Sequence, residues 1–100
     1  MQVFNLREMK SFPYAQRDKN VFFEAPNFKA RIIHLAAGES IPECRMASDV
    51  IFTVIDGSVE ITVNGEKNWL NSGHCLITEP ALISMTTESA ARVMGIQIKR

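Results

Sequence analysis

Histidine is nearly absent from this chain, with His34 and His74 the only two among 100 residues. Two imidazoles cannot furnish a three-histidine metal site. Cysteine is equally scarce. Cys44 and Cys75 are too few for a disulfide framework and are expected to be free thiols. Charge of one sign is missing too, because eleven basic and eleven acidic side chains cancel. No basic stripe marks a nucleic-acid surface, and no polybasic cluster marks a membrane anchor. No apolar run approaches the roughly 20 residues that span a bilayer. The opening MQVFNLREMKSF alternates apolar and charged residues and lacks the apolar centre of a secretory signal, so a cytoplasmic location is expected. No glycine-rich phosphate loop follows a strand, and no nucleophile motif surrounds Ser84, Cys44 or Cys75. Internal repeats, linkers and low-complexity segments are also missing.

Helical periodicity is weak, and one short turn is expected over Phe4 to Lys10. The rest reads as short strands separated by turn chemistry. Val21 to Glu24 and Lys29 to Leu35 flank Ala25-Pro26-Asn27, a hairpin-like or bent connection. Val50 to Ile55 is rich in β-branched and aromatic residues. Asp56-Gly57 predicts a tight turn into Ser58 to Val63, which alternates strictly. Asn64-Gly65 is the strongest hairpin signal, since a type I′ turn needs positive φ at both central residues. Glu66 to Leu70, Cys75 to Thr78, Leu82 to Thr87 and Arg92 to Lys99 complete the set. Pro80 has no donor for a ladder and belongs between strands. Many short strands without helices predict one all-β domain over residues 1–100, a sandwich or barrel.

Gly38 to Gly57, GESIPECRMASDVIFTVIDG, adds a frame with defined spacing. Gly38 is followed by five residues, Cys44-Arg45-Met46, three residues, Val50, six residues and Gly57. This resembles the first motif of the cupin superfamily, glycine, five residues, His-x-His, three or four residues, Glu, six residues, glycine. The stretch VIFTVIDGSVEITV and the following Asn64-Gly65-Glu66 resemble the strands and hairpin that join the two cupin motifs. Counting from Gly73, the second motif sets Glu79 in the proline slot, Ala81 in the glycine slot, Ser84 in the histidine slot and Glu88 in the asparagine slot. The resemblance covers roughly Ile32 to Ile98 and implies an antiparallel double-sheet β-barrel, or jelly roll. Residues 1–30 would form N-terminal strands and an arm, and residues 31–98 the conserved barrel.

In metal cupins the matching slots hold two histidines, a glutamate and a third histidine around one divalent ion. Here they read Cys44, Met46, Val50 and Ser84. Val50 cannot ligate, and a neutral serine hydroxyl is a poor donor. Cys44 and Met46 lie two apart on a strand and share a face. They serve either as adaptable core filling or as soft donors favouring Cu(I), and packing is the preferred reading. Cys44, Met46, Val50, Phe52 and Ser84 would line an apolar, sulfur-edged pocket for a small apolar or aromatic ligand; Trp69 and Phe52 together are an alternative aromatic wall, with burial in the core or an interface the preferred reading. A metal-free binding or non-catalytic module is thus expected. One alternative is a cupin enzyme of dioxygenase or isomerase type that uses Cys44 and Met46 with Asp49, re-aimed by a bulge, or His34. Another is a dimeric sensor or assembly module. Apolar residues on both faces of Val21-Phe22-Phe23 and of Val50 to Ile55 predict a homodimer, because one face fills the barrel and the other needs cover.

Overall fold

The structure, a computed structural model, describes residues 1–100. Nine antiparallel strands follow an N-terminal arm: β1 Val21–Glu24, β2 Phe28–Leu35, β3 Ser40–Met46, β4 Asp49–Asp56, β5 Ser58–Val63, β6 Glu66–Asn71, β7 Cys75–Thr78, β8 Ala81–Thr86 and β9 Ala91–Ile98. One sheet has the order β1-β2-β9-β4-β7 and the other β3-β8-β5-β6. The double-sheet β-barrel is therefore present. No helix is long and apolar enough to cross a membrane.

Period-two alternation decides which side chains fill the interior. Val50, Phe52 and Val54 of β4 are buried, as are Val59 and Ile61 of β5 and Ala81, Ile83 and Met85 of β8. Leu35, Leu70, Ala91 and Val93 join them in one core cluster. Asn64 and Gly65 have φ of 50° and 83°, as a type I′ hairpin between β5 and β6 requires. The Asn64 side chain also accepts a hydrogen bond from the Leu82 amide at 3.0 Å, tying this hairpin to β8.

Two local readings need correction, and a third gains detail. The tight turn at Asp56-Gly57 is present, and because β4 and β5 lie in different sheets it is a crossing and not a hairpin. Gly57, at φ 78°, is the corner where the chain crosses from one sheet to the other. The turn expected in the arm is present at Leu6 to Glu8, but the helical element is a kinked 3₁₀ segment, Tyr14–Asn20, that the periodicity did not reveal. Its anchor is Asn20, buried and hydrogen-bonded to both the amide (2.7 Å) and the carbonyl (2.9 Å) of Phe12. Finally, strict alternation over Val21-Phe22-Phe23 fails. The β1–β2 register slips between Val21 and Phe23, so Phe22 and Phe23 border the same surface hollow. One extra residue in a strand reverses the facing of everything beyond it.

The arm covers part of the outer face of the first sheet. Arg92 Nη1 donates to the carbonyls of Leu6 (3.3 Å) and Met9 (2.7 Å), Arg7 pairs with Asp56, and Phe4 meets Phe22 edge to face. Beneath it Ile32 has no exposed surface at all.

Candidate functional site

One end of the barrel is packed and the other is hollow. A cavity of about 220 Å³ opens between the sheets, large enough for a small ligand, since cavities of roughly 150 Å³ already accept benzene. Its apolar wall comes from Ile33, Ile41, Cys44, Met46, Val50, Phe52, Ile83, Met85 and Gly95. Arg31 and Gln97 add polar groups, and Ser84, together with Tyr14, Arg17 and Asp18 of the 3₁₀ segment, borders it as well. Cys44, Met46, Val50 and Phe52 thus meet at one cavity, which Ser84 also borders.

A bulge in β3 brings the sulfurs there. Ile41 pairs with Met85 and Cys44 with Ile83, so Pro42 and Glu43 together stand opposite Ser84 alone. Pro42 has no donor to lose at such a break. The extra residue resets the alternation, and Ile41, Cys44 and Met46 all border the cavity. Cys44 is not core filling. It is exposed at the open end, its Sγ 3.6 Å from the Sδ of Met46.

Ser84 departs from its expected orientation. Its neighbours Ile83 and Met85 are buried, and its cross-strand partner is Thr62. Alternation sets its side chain on the opposite face of β8 from theirs. The strand count from Gly73 therefore misplaces by one residue the position that faces inward. Trp69 is half exposed on β6 and does not border the cavity, which leaves Phe52 as the ring within the barrel.

The donors proposed for a metal do not converge. Asp49 does not border the cavity, and its carboxylate is held by Arg100 at 2.8 and 3.1 Å. That hydrogen bond, with the attraction between the two charges, raises the Arg100 pKa. The β4 register with β9 is regular from Asp49 to Val54, so no bulge turns Asp49 inward. His34 is exposed on β2 opposite Arg92 and lies outside the cavity. His74 is committed to a turn, its Nδ1 accepting the Asn71 amide at 3.0 Å. No group of three or more His, Cys, Asp or Glu side chains is placed to hold an ion. The residues present therefore do not fit iron, manganese, nickel or zinc, which take imidazole and carboxylate donors. The sulfurs that border the cavity are those of Cys44, Met46 and Met85.

Two residues that sequence reasoning passed over shape the cavity most. Gly95 forms part of its wall. A Cβ there would lie 3.3 Å from the Phe52 ring and 3.5 Å from Ile33 Cδ1, so the missing side chain lets Phe52 and Ile33 pack close against the β9 backbone. Arg31 is half-buried on the inward face of β2, paired across the sheet with Gly95. Its Nη2 makes a long 3.4 Å contact with Gln97 Oε1, and its Nε is buried without an acceptor.

No sequence-family profile and no curated protein sequence matches the chain. Solved structures do. An RmlC-like cupin from Desulfovibrio desulfuricans superposes with a TM-score of 0.81 at 20% identity, over 98% of this chain and 96% of that one. A cupin superfamily protein from Desulfitobacterium hafniense gives 0.74 at 17% identity, over 80% and 74% of the two chains. Salicylate 1,2-dioxygenase from Pseudoaminobacter salicylatoxidans, solved with gentisate, gives 0.68 at 20% identity, over 73% of this chain and only 20% of that one. At such identities the likeness is one of architecture, and on that architecture this chain folds as a small cupin barrel.

Proposed function

We propose that the chain is a metal-free binding module whose cavity takes one small ligand. The observation that carries this reading is the cavity itself, open, mostly apolar, and bordered by sulfur where a metal cupin has imidazole. An apolar hollow with a few polar groups is the usual form of a small-molecule site. Val50, 1% exposed, occupies the carboxylate slot and removes the donor that a divalent ion would need most. Protein purified without added metal and then titrated with Fe(II), Mn(II), Ni(II) and Zn(II) should retain well below one ion per chain after desalting. One tightly held ion per chain, lost on Cys44→Ser, would overturn the reading and restore the metalloenzyme.

Self-association belongs to the same proposal. Ala30, Ile96, Ile51 and Ile77 are cross-strand partners in one row over the outer face of the first sheet. The row ends in Ile77, 71% exposed on the edge strand β7. An apolar row that emerges at a sheet edge favours cover by a second copy, and closed two-fold pairing is the commonest arrangement. Sedimentation at micromolar concentration should give a dimer, and Ile77→Lys should shift it toward monomer. A wild-type chain that sediments as a monomer would show that the arm alone is sufficient cover.

A further inference from the structure

The cavity contains a charge that its apolar wall does not explain. Arg31 is the one strand cation that borders the cavity, and it takes part in no ion pair. Its single hydrogen bond to protein is the long contact with Gln97, and the buried Nε has no acceptor. A guanidinium within a barrel normally has a carboxylate or several carbonyls around it, because an unmatched buried donor is costly. Tethered mid-strand, opposite Gly95, it sits beside the same hollow as Phe52. Arg17 borders the cavity as well, its guanidinium stacked over the Tyr14 ring at 4.4 Å. The one carboxylate among the bordering residues, Asp18, is exposed and pairs with neither arginine within 4.0 Å.

We infer that the ligand is a small monocarboxylic acid with an aromatic or compact apolar body, its carboxylate received by Arg31. This rests on the cavity being a ligand site and names the ligand's class. The planar guanidinium presents donors in a fork that matches a carboxylate, and only its Nη2 has a protein partner, the long contact with Gln97. Apolar atoms of the ligand replace water against Phe52, Ile33 and Met46. Polar groups are few: Arg31 and Gln97 on the strands, with Arg17 and Asp18 at the border, so the charges sum to about one positive unit, which one carboxylate matches. An uncharged occupant would leave the Arg31 guanidinium desolvated and unmatched.

The test is calorimetric or NMR titration of the full chain with benzoate and with benzamide, which has the same shape and no charge. Benzoate should bind at least ~10-fold tighter than benzamide, the margin expected when a charge-assisted pair replaces a neutral one. Arg31→Gln should abolish that preference, and Arg31→Lys should retain part of it. Because Arg31 has no protein carboxylate to lose, Arg31→Gln should melt no lower than the wild type. A purely structural arginine would give a lower melting temperature. Gly95→Val should weaken both probes together by pushing the Phe52 and Ile33 side chains into the cavity. Equal binding of the two probes, both sensitive to Gly95→Val, would overturn the charge assignment and leave the cavity reading standing. Binding of neither would overturn both. A benzoate preference that survives Arg31→Gln would also sink the assignment.

Discussion

Gly57→Ala should cost about 3 kcal/mol or more of folding stability, among the larger effects of a single methyl group. Two independent terms add. The residue sits at φ 78°, in the left-handed region, where an L side chain loses roughly 1–2 kcal/mol. A Cβ would also run into the carbonyl oxygen of Ala90 and lie 3.0 Å from the Cα of Ala91. Those neighbours are backbone and cannot rotate aside. Ala91 is itself buried and begins β9 opposite Leu35, so moving it disturbs the packed end of the barrel. Gly73 provides the control. Its φ is 88°, but nothing lies within 4 Å of its would-be Cβ, so Gly73→Ala should lose only the conformational term of about 1–2 kcal/mol. Urea denaturation of the two variants separates the terms. Equal midpoints would mean that close packing at the corner contributes nothing.

That contrast also shows what a sequence reader can and cannot see. Asn64-Gly65 announces its hairpin because the turn chemistry is local and both residues adopt the φ that their types favour. Asp56-Gly57 carries the same kind of local signal, and its glycine does adopt positive φ. Whether the chain then pairs back or crosses to another sheet depends on the distant Ala90 and Ala91, which no dipeptide encodes. The bulges are a similar case. Pro42 fits a break in β3, yet the facing of Cys44 relative to Ile41 follows only from where β8 is paired. Cys44 and Met46 were legible as residues sharing a face. Ser84 was assigned by counting from a glycine, and one position of slippage in a strand is enough to turn a side chain to the other face.

Arg31 was hidden for a different reason. On β2, one alternating set is Lys29, Arg31, Ile33 and Leu35, and the other is Ala30, Ile32 and His34. Both sets mix apolar and charged residues, so periodicity does not say which face is inward. Only the second sheet closing over Ile33 and Leu35 settles it. Residues whose chemistry conflicts with their burial are the ones that function tends to use, and they are the least visible to pattern reading.

Ile61→Ala should destabilise the protein by about 2–5 kcal/mol, whereas Met46→Ala should cost about 1 kcal/mol or less. The difference follows from where each side chain ends. Ile61 has no exposed surface and packs in the cluster with Val59, Leu70 and Met85, on a central strand paired on both sides. Its removal leaves a void among rigid strands that cannot collapse, so lost contacts add to lost burial. Met46 is only half-buried, on the edge strand β3, and one side already faces the cavity. Truncating it enlarges a space that exists rather than opening a new one. Thermal or urea unfolding of the pair measures the gap directly, and a large gap would mean that the packed end holds the fold together while the hollow end is free to vary with the ligand. If Met46→Ala proved as damaging as Ile61→Ala, the cavity wall would be part of the structural core, and the barrel would have little room to take a ligand without unfolding.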